Sequence, residues 1–273
     1  WEELMEFPSI QFGVEMAFLS LQSKTPFDLF PSQFTAGKKN MLINGLVWMG
    51  EEHFMKTQIE EKIAQGFSCI KLKIGAIDFE KELGLLRFIR QNFDAKTIEI
   101  RVDANGAFNS NEALSKLNQL NEFELHSIEQ PIKVNQIQEM KILCQQTPFP
   151  IALDEELIGV FGIEKKRKLL EEIQPQYIIL KPSLVGGFKG TLEWISIAES
   201  LNIGWWITSA LESNIGLNAI TQFTFTLNNP MPQGLGTGGL YTNNFDCPLE
   251  IDKGHIKYNV QKHWDVSNLG ISL

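Results

Sequence analysis

Ser68-Cys69-Ile70-Lys71-Leu72-Lys73-Ile74-Gly75 alternates strictly. An extended backbone therefore puts Ile70, Leu72 and Ile74 on one face and Lys71 and Lys73 on the other. In isolation a Lys-x-Lys pattern fits an edge strand with a solvated lysine face. The next apolar run, Ile98-Glu99-Ile100-Arg101-Val102-Asp103, repeats the alternation with Glu99, Arg101 and Asp103 opposite the aliphatic residues, and a turn, Ala104-Asn105-Gly106, follows it. In a barrel covered by helices, one face of each such strand points into the barrel.

Working outward, Ser127-Ile128-Glu129-Gln130-Pro131 and Ile151-Ala152-Leu153-Asp154-Glu155 also finish in acids, and Tyr177-Ile178-Ile179-Leu180-Lys181-Pro182 finishes in a lysine. The steps from 103 to 129, 129 to 154 and 154 to 181 are 26, 25 and 27 residues, one βα unit each. Further strand candidates are Leu42 to Trp48, Gly204 to Thr208 and a short one near Gly234, making eight with the strand of the lysines. Helical spacing fills the gaps, as in Glu51 to Gln65, Phe79 to Gln91, Glu112 to Leu120, Ile163 to Glu172 and Leu192 to Leu201. An open, doubly wound sheet shows the same alternation, but charges recurring at strand ends favour a closed α/β barrel, whose active site forms at the C-terminal strand ends.

Asp103, Glu129 and Asp154 would then converge from three adjacent strands. Close carboxylates repel, and a hard divalent cation relieves the repulsion. Oxygen-only donors without His or Cys favour Mg²⁺, with Mn²⁺ as the alternative. Lys71 and Lys73 on the second strand and Lys181 on the sixth are expected to face each other across the mouth. That arrangement suits removal of a proton beside a metal-bound carboxylate. Nearby cations disfavour a protonated lysine, so Lys73, nearer the strand end, is assigned as base and Lys71 as its helper.

A net charge of −9 over 273 residues gives nucleic acid no electrostatic footing, and the expected partner is a small-molecule carboxylate. No apolar run approaches the roughly 20 residues of a membrane span, and no basic-then-apolar leader opens the chain. Cys69, Cys144 and Cys247 lack metal-site spacing and read as reduced thiols of a cytoplasmic protein, Cys69 in the core. The four histidines form no metal pattern, and Trp205 and Trp206 read as packing residues. Gly186-Gly187 reads as a tight βα turn or an anion-accepting helix start. The glycine run 234–239 lacks dinucleotide-site context and reads as a loop closing the last strand. Ser209 to Asn214, after the seventh strand, either grips a second substrate carboxylate or caps a helix. Asn105, Ser209, Ala210, Ser213 and Gly236 are the candidate substrate contacts.

Lys71-Leu72-Lys73, Asp103, Glu129, Asp154 and Lys181, in this order, resemble the enolase superfamily and its muconate-lactonising-enzyme-like subgroup, over Leu42 to about Tyr241. The resemblance implies a modified TIM barrel of the (β/α)7β enolase type. Within that subgroup, Ile207 to Leu217 and Pro232 to Thr237 are similar to members for which the resemblance implies a metal-assisted syn-elimination of water from a cyclohexadiene carboxylate bearing a succinyl arm, in menaquinone biosynthesis. Lys73 would be the base, and Lys181 would stabilise the enediolate as a cation over the ring face. The same site could racemise an N-succinylamino acid or epimerise a dipeptide. A silent barrel used for binding is the competing class, and a homo-oligomer is compatible with either.

Members of the family carry an N-terminal capping domain. Here residues 1–40 are expected to be its helical remnant and a linker, with Ile10, Val14, Phe18 and Leu21 on one helix face and Trp1 in place of an initiator Met. Residues 41–245 are expected to form the barrel and 246–273 an extension packing on the barrel or the cap.

Overall fold

The computed structural model describes residues 2–267. In chain order the elements are α1 (Pro8–Gln22), β1 (Met41–Leu42), β2 (Gly45–Val47), α2 (Glu52–Ala64), β3 (Cys69–Lys73), α3 (Phe79–Asn92), β4 (Glu99–Asp103) and α4 (Ser110–Leu120). There follow β5 (Ser127–Glu129), α5 (Ile137–Gln146), β6 (Ile151–Leu153), α6 (Ile163–Ile173), β7 (Tyr177–Leu180), α7 (Pro182–Val185), α8 (Gly187–Ser200) and β8 (Gly204–Ile207). The last three are α9 (Asn214–Thr226), β9 (Leu249–Asp252) and β10 (His255–Tyr258). Strands β2 to β8 form a seven-stranded sheet in sequential order, and every register given within it is parallel.

The chain forms two compact units. The first comprises Trp1–Ile43, Lys181–Leu192 and Trp206–Leu273, and the second Asn44–Leu180 and Glu193–Trp205. In the second, strands buried on both sides alternate with amphipathic helices, as covered parallel sheets require. Ile70, Leu72, Ile100, Val102 and Ile128, the aliphatic halves of the alternating runs, are wholly buried. The helices bury residues at helical spacing, Met55 and Ile59 on α2, Leu86 and Ile89 on α3, and Ala113, Leu117 and Leu120 on α4. Each of these Met, Leu and Ile side chains contributes about 1.5–3 kcal/mol on leaving water, and the Ala113 methyl less. Side-chain caps start two of them: Asp78 accepts from the Glu80 N–H and Asn109 from the Asn111 N–H, both at 3.1 Å.

The first unit differs from expectation at three places. The run from Leu42 to Trp48 is two strands: β1 pairs antiparallel with β10, which pairs with β9, while β2 belongs to the parallel sheet. The segment near Gly234 makes only isolated parallel bridges, Gln233 to Ile43 and Gly234 to Thr208, and so joins the residues just before β2 and just after β8. On α1 the buried residues are Gln11 and Phe12, whereas Ile10 and Phe18 are 55% exposed and Leu21 82%. The reason is that α1 is held by polar bonds: Gln11 Nε2 donates to the Gly186 carbonyl at 2.7 Å, and Glu15 accepts from the Phe188 and Lys189 N–H groups.

Of the two readings of Gly186-Gly187, a tight βα turn or an anion-accepting helix start, the second is met internally, since the Glu15 carboxylate caps α8. Gly187 has φ +68°, and a Cβ there would stand 2.2 Å from Glu15 Oε2, so the cap requires glycine. Gln222 fastens the linker after α1, accepting from the Leu29 and Phe30 N–H groups and donating to the Phe27 carbonyl. Of the expected extension, β9 and β10 form the antiparallel sheet with β1, and residues 268–273 lie outside the described residues.

Candidate active site

The register of the parallel sheet builds the site. Lys73 on β3 pairs with Asp103 on β4, and Asp103 with Glu129 on β5, so three charged residues form one row at the strand ends. One row below, Lys71 pairs with Arg101 and Arg101 with Ser127. Because side chains alternate with period two, both rows face the same way. Glu129 pairs with Ala152 on β6, which brings Asp154 two residues further to the same end.

Asp103 is fully buried, and its Oδ2 accepts from Lys73 Nζ at 2.7 Å and Lys71 Nζ at 2.9 Å. Its Oδ1 accepts from the Asn105 N–H at 2.9 Å. Lys71 Nζ also pairs with Glu129 Oε2, so one ammonium bridges two carboxylates. Burial alone would raise the Asp103 pKa, but the Lys71 and Lys73 charges hold it well below the carboxylate range. Burial pulls the Lys71 pKa down, and Asp103, Glu129 and Asp154 outweigh it, so Lys71 stays an ammonium.

Asn105, at φ +43°, accepts from Lys73 Nζ at 2.7 Å and donates to Glu155 Oε1 at 2.8 Å. It holds the lysine. Glu155 has its pKa raised, by burial first and by Asp154 next. Among the described residues no three His, Cys, Asp or Glu side chains meet the spacing of metal ligands. The Lys71 ammonium lies between Asp103 and Glu129. The donor chemistry still fits a hard cation, because the carboxylates are buried, lie on neighbouring strand ends and include no nitrogen or sulfur.

The remaining candidates belong to the first unit. Lys181 directly follows β7 and opens α7, its carbonyl accepting from the Leu184 N–H. Ser209 donates to Glu212 Oε2 at 2.5 Å and is reached by the Thr237 hydroxyl at 2.9 Å. The Ala210 N–H donates to the same Glu212 oxygen at 2.9 Å, and Ser183 Oγ donates to the other. Groups read as grips for a substrate carboxylate thus hold the chain's own Glu212. Ser213 precedes α9 without a side-chain cap bond, and Gly236 lies in the loop after the Gly234 bridge. Glu155 and Thr237 had no signal in the sequence beyond lying next to strand ends or loops, since their partners are 50 and 28 positions away, and Glu212 adds a bond from Ser183, 29 positions away, to its local ones from Ser209 and Ala210.

The sheet of βα units with lysines and acids at its strand ends defines a class, and the chain belongs to it: the family described as Enolase C-terminal domain-like matches residues 55–261. The fold is the modified TIM barrel of the (β/α)7β enolase type. Within that class, the o-succinylbenzoate synthase of Desulfotalea psychrophila is 55% identical over 248 residues, 91% of this chain and 67% of that protein. The crystal structure of MenC from the same organism superposes with a TM-score of 0.86 at 53% identity, covering 92% of this chain and 69% of that one. The N-succinylamino acid racemase of Thermus thermophilus is 33% identical over 159 residues, 58% of this chain and 40% of that protein. The chain thus spans about two thirds of the synthase and less of the racemase.

Proposed function

We propose that this chain is a hydro-lyase, an o-succinylbenzoate synthase, which dehydrates 2-succinyl-6-hydroxy-2,4-cyclohexadiene-1-carboxylate to 2-succinylbenzoate in menaquinone biosynthesis. The observation that carries it is the row Lys73, Asp103 and Glu129 with Lys71 beneath, lying within the stretch that is 55% identical to a synthase.

Lys73 Nζ, at the end of its strand, takes the proton from the carbon next to the substrate carboxylate. The electron pair left behind forms the new double bond as the ring hydroxyl departs from the same face, taking the proton back from the Lys73 ammonium to leave as water and restore the neutral amine. Aromatisation makes the step downhill. Lys181 contributes a cation over the ring face, where negative charge develops. Asn105 and Asp103 orient Lys73, and Lys71 keeps a positive charge beneath the site. Asp103, Glu129 and Asp154 would hold Mg²⁺, with Mn²⁺ as a substitute, and the ion supplies positive charge beside the substrate carboxylate. Ser209, Ala210, Ser213 and Gly236 would meet the succinyl arm, which requires exchange of the Glu212 contacts.

In this reading residues 41–245 are the catalytic domain and 1–40 and 246–273 its flanks. No helix among the described residues is long and apolar enough to cross a membrane. The three free, buried cysteines suit a reducing cytoplasm. The partner is the small carboxylate, nucleic acid has no place, and a homo-oligomer is compatible.

The test is turnover of the cyclohexadiene substrate with Mg²⁺, followed by absorbance of the aromatic product. Lys73→Ala and Lys181→Ala are expected to lower the rate by about 10²–10⁴ or more with the fold intact. A chain that racemises N-succinylamino acids and leaves the cyclohexadiene untouched would be the racemase instead, and near-normal turnover in either variant removes the role given to that lysine.

A further inference from the structure

Gln130 follows Glu129, is completely buried, and has φ +38°, a backbone conformation that a residue with a long side chain rarely adopts. Its main chain and side chain together reach three strand ends. The Gln130 N–H donates to the Ala152 carbonyl on β6 at 2.9 Å, and its carbonyl accepts from the Gly106 N–H beyond β4 at 2.7 Å. Its side-chain Oε1 accepts from the Asp154 and Glu156 N–H groups, both at 3.3 Å. Its Nε2 donates to the Ile132 carbonyl at 3.0 Å and to Glu156 Oε2 at 3.2 Å. Glu156, itself buried, accepts from the Asn135 N–H at 2.9 Å through its other oxygen.

All these bonds lie within one compact unit, and they converge on the residues that carry or flank Asp103, Glu129 and Asp154. A carboxylate can share a cation with its neighbour only if the backbone carrying it is held to a fraction of an ångström. Two elements of the site leave regular extended backbone at that point: Gln130 takes φ +38° while its N–H still bonds the Ala152 carbonyl, and Asp154 opens a 3-10 turn at φ −126°, ψ −82°. The Gln130 carboxamide carries the connection on from Ala152 to the backbone of Asp154 and Glu156.

We propose that Gln130 is a positioning residue that sets the Asp154 carboxylate against those of Glu129 and Asp103, and so governs divalent-cation affinity. This rests on the reading of those three acids as the metal site. Gln130→Met keeps the volume and removes all four side-chain bonds. Gln130→Asn suits the positive φ, which Asn tolerates, but is one methylene too short to span to residues 154 and 156. Gln176 is the control, a half-buried amide at the opposite strand ends that accepts from the Ile151 N–H at 2.9 Å and donates to the Cys144 carbonyl at 3.1 Å.

Mn²⁺ affinity of the full chain, measured by calorimetry beside far-ultraviolet dichroism of the metal-free protein, tests the proposal. Wild type is expected to bind, Gln130→Met and Gln130→Asn to bind about 10–100-fold more weakly, and Gln176→Met within twofold of wild type. If Gln130→Met does not fold, Gln130→Asn decides. Wild-type affinity in a folded Gln130 variant overturns the proposal alone, as does an equal loss in Gln176→Met, which would make the effect one of general stability. A wild-type chain that binds no Mn²⁺ overturns the metal reading and the proposal together.

Discussion

Lys71 and Glu82 illustrate two ways of burying a charge. Lys71 is shut from water but bridges Asp103 and Glu129, so its charge is retained. Glu82 is 2% exposed and accepts from the Gly75, Ala76 and Ile77 N–H groups through Oε1, while its Oε2 has no hydrogen-bond partner among the described residues. Burial raises its pKa, and the three backbone donors only partly oppose this. A carboxyl whose folded pKa exceeds its unfolded value of about 4.3 stabilises the fold below that value, and the contribution is lost as pH rises through the folded pKa. Glu82→Gln cannot ionise. Its unfolding free energy relative to wild type should therefore climb as pH is raised from about 4 and level off above the folded pKa, as read from urea titrations. A difference that stays flat from pH 4 to 7 would contradict the assignment. At this scale the lysine face of β3 and the acids at strand ends were legible, because alternation alone sorts them. The bonds of Asn105 to Glu155 and of Gln130 to Asp154 were not, because positive φ and long-range amide contacts leave no periodic trace.

Among the elements, α4 was legible from helical spacing over Glu112 to Leu120, where Ala113, Leu117 and Leu120 share one face, and the structure adds the cap in which Asn109 accepts from the Asn111 N–H. Asn109→Ala is expected to cost about 1 kcal/mol and Leu117→Ala about 2–5 kcal/mol, both as shifts of the urea midpoint with an unchanged slope. Equal effects from the two would mean that Leu117 lies in a site able to collapse around the smaller side chain. Helix α9 had no comparable signal, since residues from Gly216 to Thr224 are all buried, including the polar Asn218, Thr221 and Gln222, so no face of that stretch is solvent-exposed. The run from Leu42 to Trp48 reads as one strand because period two is the same for parallel and antiparallel partners. Its division between β10 and β3 is a choice of partner.

For the whole molecule, a cation held by Asp103, Glu129 and Asp154 binds only the folded chain and so stabilises it by mass action. At a hundred times Kd the gain is about 2.7 kcal/mol, visible as a rise in Tm that chelation reverses. Asp154→Asn should abolish most of that rise. A wild-type Tm indifferent to Mg²⁺ and Mn²⁺ would contradict the site.

By itself the sequence determined the order of βα units, the residues at each strand end and the chemistry those residues share, because strand and helix periods and acid spacing are local properties of the chain. Only the tertiary structure decided that Lys71 bridges two carboxylates, that Glu15 and Glu212 fill anion sites left open in the sequence reading, and that Gln130 ties Asp154 to Glu129. The physical reason is that, the local Ala210–Glu212 bond aside, these contacts join residues from 24 to 173 positions apart, and hydrogen-bond partners at such separations are set by packing rather than by any local pattern.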